Sequence, residues 1–71
     1  MEKIKNDIEL QREVIETLLY FNIFNYPLKS AEVFNFLHTN GVAERDVKRT
    51  LDSLTEQRII YRSKEFYSIQ H

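Results

Sequence analysis

The 71-residue chain has no cysteine, one glycine, one proline and two histidines, and it lacks a long apolar run. Without cysteine there is no disulfide framework, no cysteine-ligated zinc finger and no thiol nucleophile. No oxidising compartment is needed, and the expected location is cytoplasmic. One glycine cannot build a phosphate-cradling loop of the Walker or dinucleotide type, and one glycine with one proline excludes a linker or a collagen-like chain. The greasiest stretch, Leu18 to Leu28, is interrupted by Asn22 and Asn25 and falls short of the ~20 apolar residues that span a bilayer. Met1 to Asp7 is mixed in charge with no apolar centre, so it does not read as a signal peptide. His38 and His71 belong to no Ser-His-Asp arrangement, and Glu9, Glu13 and Glu16 read as a solvated helix face. His38 itself reads as a solvated or capping residue at a helix end. No catalysis, metal, cofactor, membrane or small-molecule substrate is expected.

Charge of one sign is also missing. Ten Lys and Arg stand against eleven Asp and Glu, a formal net charge of −1, which excludes binding a polyanion through bulk charge alone. What remains is a globular composition, 42% hydrophobic, 13% aromatic and 30% charged, in a length that fits a single small domain over residues 1–71.

The pattern predicts three helices and a hairpin. Asn6-Asp7 caps a helix of about 8–22. Ile8, Ile15 and Leu19 fall on one edge of its apolar arc, Leu10, Val14 and Phe21 on the other, with Leu18 between. That arc covers about half the circumference, wider than the ~100° stripe of an ordinary surface helix. Pro27 pushes Tyr26 into an extended conformation, and Ser30 caps a second helix of about 31–38. Thr39-Asn40-Gly41 closes it. The third helix, about 43–57, turns Val47, Thr50, Leu51 and Leu54 inward. Two β-branched and aromatic runs within 59–69, joined at Ser63-Lys64, predict a hairpin that must pack on the helices. The extended piece at Pro27-Leu28 is placed to add a third strand. The expected fold is mainly α with a small β-hairpin: a winged helix-turn-helix with a two- or three-stranded antiparallel sheet.

Two partner classes follow. The outer face of the third helix carries Arg45, Lys48 and Arg49 in its first half and Asp52 and Glu56 in its second. Helix-turn-helix proteins apply this N-terminal part of the recognition helix to DNA, and Arg62 and Lys64 of the hairpin add a second contact. Residues 1–44 hold four basic and seven acidic side chains, residues 45–71 six and four, so the positive end lies on that helix and wing. The leading expectation is a non-catalytic module that contacts nucleic acid weakly through Arg45, Lys48, Arg49, Arg62 and Lys64. The alternative is a protein-interaction module, in which Leu10, Val14 and Phe21 stay partly uncovered and dock a second copy or a downstream domain. The cluster Tyr20, Phe21, Phe24 and Tyr26 reads as core filling around the end of the first helix rather than a base-stacking platform.

The run Leu18-Leu19-Tyr20-Phe21-Asn22-Ile23-Phe24-Asn25-Tyr26-Pro27-Leu28, continuing to Glu32-Val33, resembles the winged-helix region at the N-terminus of bacterial and archaeal nucleotidyltransferase-like proteins. There a similar run joins the first two helices. The remainder, Val47 to Leu54 with Ile59-Ile60 and Phe66-Tyr67, is similar to winged helices in general. The resemblance implies either an N-terminal domain or a free-standing relative, and an accessory role against a nucleotidyltransferase-like domain. The Gly-Ser and Asp-x-Asp elements that carry catalysis in that family are absent from this sequence, so no nucleotidyl transfer is implied. Three departures stand out: Ala43 replaces a Ser or Thr cap, Arg58 replaces a helix-ending Gly, so that either Arg58 takes a left-handed conformation or the chain turns differently, and the wing is very short.

Overall fold

The computed structural model describes residues 7–37 and 42–69. In chain order its elements are α1 (Asp7–Asn22), β1 (Leu28–Lys29), α2 (Ser30–Leu37), α3 (Glu44–Glu56), β2 (Tyr61–Ser63) and β3 (Phe66–Ser68). The strands form one antiparallel sheet in the order β1-β3-β2. Leu28 pairs with Tyr67 and Lys29 with Phe66, while Tyr61, Arg62 and Ser63 pair with Ser68, Tyr67 and Phe66. The fold is mainly helical with a small hairpin, as expected, and the extended piece after Pro27 is the third strand. The shape is compatible with a winged helix. The expected caps at Asn6 and at Asn40 or Gly41, and His38 and His71, lie outside the described residues.

Spacing explains the core. Leu10, Val14 and Leu18 recur every fourth residue on α1 and are buried. Val47, Thr50, Leu51 and Leu54 follow the i, i+3, i+4, i+7 pattern on α3 and are buried too, the arrangement that sends one helix face inward. Val33 from α2, Leu28 from β1, Ile60 from the segment between α3 and β2, and Tyr67 from β3 complete the cluster. Each such side chain contributes about 1.5–3 kcal/mol when fully buried.

Four helix ends show how local chemistry sets the chain's path. At the end of α1 the Asn25 N–H donates to the Asn22 carbonyl at 2.9 Å and the Tyr26 N–H to the Phe21 carbonyl at 3.1 Å, with Asn25 at φ 55°. This is a Schellman motif, and Asn is the residue after Gly that best tolerates its left-handed position. The end of α3 repeats it. Arg58 N–H donates to the Thr55 carbonyl and Ile59 N–H to the Leu54 carbonyl, both at 3.0 Å, with Arg58 at φ 64°. Of the two outcomes open to Arg58, the left-handed conformation is the one present. At the start of α3, Ala43 has no side-chain oxygen to offer. Asp46 Oδ2 instead accepts from the Ala43 N–H at 3.0 Å, the return half of a capping box. Glu32 does the same for the Lys29 N–H at 2.9 Å, so α2 begins at Ser30 rather than after it.

The hairpin also departs from its expected form. Ile59 and Ile60 are not strand residues, because the Schellman motif still holds their N–H groups on the Leu54 carbonyl. Ser63 is paired with Phe66, which shifts the turn by one residue, from Ser63-Lys64 to Lys64-Glu65. Lys64 takes φ 60°, the region that two-residue hairpin turns impose.

Candidate interaction surfaces

Two surfaces emerge, at different places and of different chemistry. The first joins α3 to the wing. Tyr67 projects from β3 toward α3, where its hydroxyl donates to Asp52 Oδ1 at 2.8 Å. Lys48 Nζ donates to Asp52 Oδ2 at 3.3 Å and to the Tyr67 hydroxyl oxygen at 3.5 Å. The hydrogen bonds to Asp52 and then Tyr67 hold the Lys48 pKa above its ordinary value, because both favour the charged ammonium. Arg62 is the cross-strand partner of Tyr67, so Lys48 and Arg62 are both neighbours of one tyrosine.

The five cations expected to meet nucleic acid are therefore not equivalent. Lys48 is engaged by Asp52, and Arg49 Nη2 donates to Asp46 Oδ1 at 3.1 Å. Asp46 thus both caps the helix start and holds Arg49. Arg45, Arg62 and Lys64 are exposed and form no ion pair among the described residues. A shallow groove of ≈ 320 Å³ runs past Pro27, Tyr61, Arg62, Lys64 and Phe66. Lys29 closes the far side of the sheet, paired with Glu65 at 3.3 Å and lying 5.6 Å over the Phe66 ring.

The second surface is aromatic and sits where α1 ends beside α2. Phe21 is its hub. Its ring meets Tyr20 at 5.1 Å, Phe36 at 4.7 Å and Tyr26 at 5.7 Å, and Tyr20 in turn meets Phe24 at 5.8 Å. Phe21 is partly buried against the core, but the surrounding rings are not: Tyr20 is 58% exposed, Phe24 63%, Tyr26 50% and Phe36 52%. The aromatic run is therefore a surface cluster, which corrects its reading as core filling. The sheet reaches the core through Leu28 and Tyr67, so the end of α1 is left uncovered. Ile23 and Leu19 extend the same exposed end.

This also corrects the expected apolar edge. Leu10 and Val14 are 4% and 0% exposed, packed in the core with α3, and present nothing to a partner. Phe21 alone of that trio reaches the surface. A helix that is apolar on most of its circumference does not reveal by periodicity which edge its neighbours will cover.

Between α1 and the end of α2 the cluster borders an open groove of ≈ 390 Å³, lined by Glu13, Glu16, Tyr20, Phe21, Phe36 and Leu37. Among the described residues no group of three metal-ligating side chains comes together, and no helix is long and apolar enough to cross a membrane. No family model, curated protein or solved structure matches the chain.

Proposed function

We propose that this chain is a non-catalytic winged-helix module that binds another protein through the aromatic end of α1 and α2. The order of its three helices and the β1-β3-β2 sheet supports the winged-helix reading. The observation that carries the binding role is the ring cluster itself, four half-exposed aromatics gathered around Phe21. Contiguous exposed apolar surface of this kind marks interaction sites, and aromatic residues are the side chains that anchor protein interfaces. Charge argues for protein over nucleic acid or lipid headgroups on this end. Residues 7–37 hold five carboxylates and two cations, which disfavours any polyanion there. Nile red, a neutral dye, tests the surface. Its fluorescence should rise with the wild-type chain and fall back in Tyr20→Ser/Phe24→Ser at unchanged thermal stability. A wild-type chain that leaves the dye dark overturns the reading.

A second reading rests on the other surface. Arg45, Arg62 and Lys64, unpaired among the described residues, support weak contact with DNA through α3 and the wing, with Lys48 and Arg49 joining by exchanging a carboxylate for a phosphate. Exposed ion pairs are worth only about 0–1 kcal/mol, so that exchange is inexpensive. A short duplex titrated at low salt should then shift amides in 43–50 and 61–65, fading as salt rises. Silence at low salt would remove this reading and leave the first intact.

A further inference from the structure

We infer that the groove between α1 and the end of α2 is built for a basic amphipathic helix, a partner class that rests on the protein-binding reading above. Three observations select it. First, among the described residues the groove is walled by side chains of α1 and α2 and by none of the sheet's edge strands β1 and β2, so strand addition is not its mode. Apolar anchors spaced i, i+3, i+4 on a helix are the natural fit to such a groove.

Second, the groove is chemically divided along its length. Glu13, Glu16 and Tyr20 follow one another at three- and four-residue spacing on the same face of α1. Glu13 to Tyr20 spans seven residues, about 10 Å at 1.5 Å per residue, or two turns of a docked helix. The aromatic end accepts the anchors, and the exposed carboxylate of Glu16 meets Lys or Arg. Thr17 between them donates its hydroxyl to the Glu13 carbonyl at 2.9 Å and asks nothing of a partner.

Third, a second copy of this chain fits poorly. Of the helices that could be laid into the groove, α1 holds four carboxylates and one cation, and α2 one carboxylate and no cation. The third helix, α3, holds three cations against four carboxylates, and its apolar face is committed to its own core through Val47, Leu51 and Leu54. The groove therefore asks for positive charge and apolar anchors on one helix, which none of the described helices offers.

The test uses the isotope-labelled chain and three synthetic helical peptides. One carries leucines at i, i+3, i+4 spacing with lysines elsewhere, one has every lysine replaced by glutamate, and one is a scramble of the first. The leucine-lysine peptide should shift amides of 13–21 and 36–37, and Glu16→Lys should weaken it about fivefold. Glu16 is exposed, so the variant folds. Equal or tighter binding of the glutamate peptide, or equal binding of the scramble, overturns the basic-helix inference while the aromatic surface stands. Binding centred on 43–50 or 61–65 overturns it as well. Absence of shifts with every peptide overturns both this inference and the reading it rests on.

Discussion

Tyr26 donates its N–H to the Phe21 carbonyl at 3.1 Å, and the two rings meet edge to face at 5.7 Å. One pair of residues thus ends α1, turns the chain and founds the aromatic surface. In a Schellman motif the residue just past the left-handed position often makes an apolar contact back to the last full turn, and here both partners are aromatic. Pro27 follows and prevents the helix from resuming. The run that joins α1 to β1 is a helix stop whose hydrophobic contact was left facing solvent.

That double duty separates two substitutions of neighbouring rings. Phe21→Ala loses three ring contacts and part of the core's cover, and should cost about 2 kcal/mol. Phe24→Ala loses one ring contact among the described residues, that with Tyr20, and at a 63% exposed position should stay within about 0.5 kcal/mol. Urea unfolding at constant m-value reads both. Equal losses would mean that Phe21 is not the hub.

Arg58→Gly should stabilise the chain by about 1 kcal/mol, since glycine takes a positive φ without a Cβ penalty. For a domain of this size that raises Tm by roughly 4–8 °C. A fall in Tm would show that the Arg58 side chain makes a contact worth more than its backbone strain.

Ala43→Ser should also stabilise, by about 0.5–1 kcal/mol, by adding the missing hydroxyl to a helix start where Asp46 already provides the other half of the box. The gain should disappear in an Asp46→Ala background if the two halves act together. Thermal melts of the four chains close this cycle.

Lys48 carries a pH signature. Its folded pKa lies above the ordinary 10.5, so its favourable contact is fully present below 10.5 and is lost as pH rises through the folded value. The stability difference between wild type and Lys48→Met should therefore be flat through neutral pH and shrink only above 10.5. Tyr67→Phe should lower the Lys48 pKa, read from the Nζ resonance, and cost about 1 kcal/mol by removing a part-buried hydrogen bond. A Lys48 resonance indifferent to Tyr67→Phe would deny the link between wing and α3.

Sequence spacing revealed the parts of this fold that are set locally. The α3 stripe and the β1 addition after Pro27 each follow from a pattern within a few residues, and the missing Gly at Arg58 marks where α3 ends without deciding how the chain turns there. The hairpin turn was misplaced by one because Lys64, not a turn residue by type, occupies the positive-φ position. The candidate surfaces were less legible. Lys48 and Tyr67 are nineteen residues apart, and nothing in either segment announces their contact. The α1 arc is too broad to tell the buried Leu10 and Val14 from the exposed Ile8 and Leu19; only the placement of α2, α3 and β3 decides that.

The central claim is that the rings around Phe21 receive a partner. The most direct measurement is of intermolecular nuclear Overhauser effects between the leucine methyls of the leucine-lysine peptide and the aromatic protons of the chain. The account predicts contacts to Phe21, Phe36 and Tyr20. Contacts confined to residues of α3 or the wing, or none to any of these three rings in a saturated complex, would contradict it.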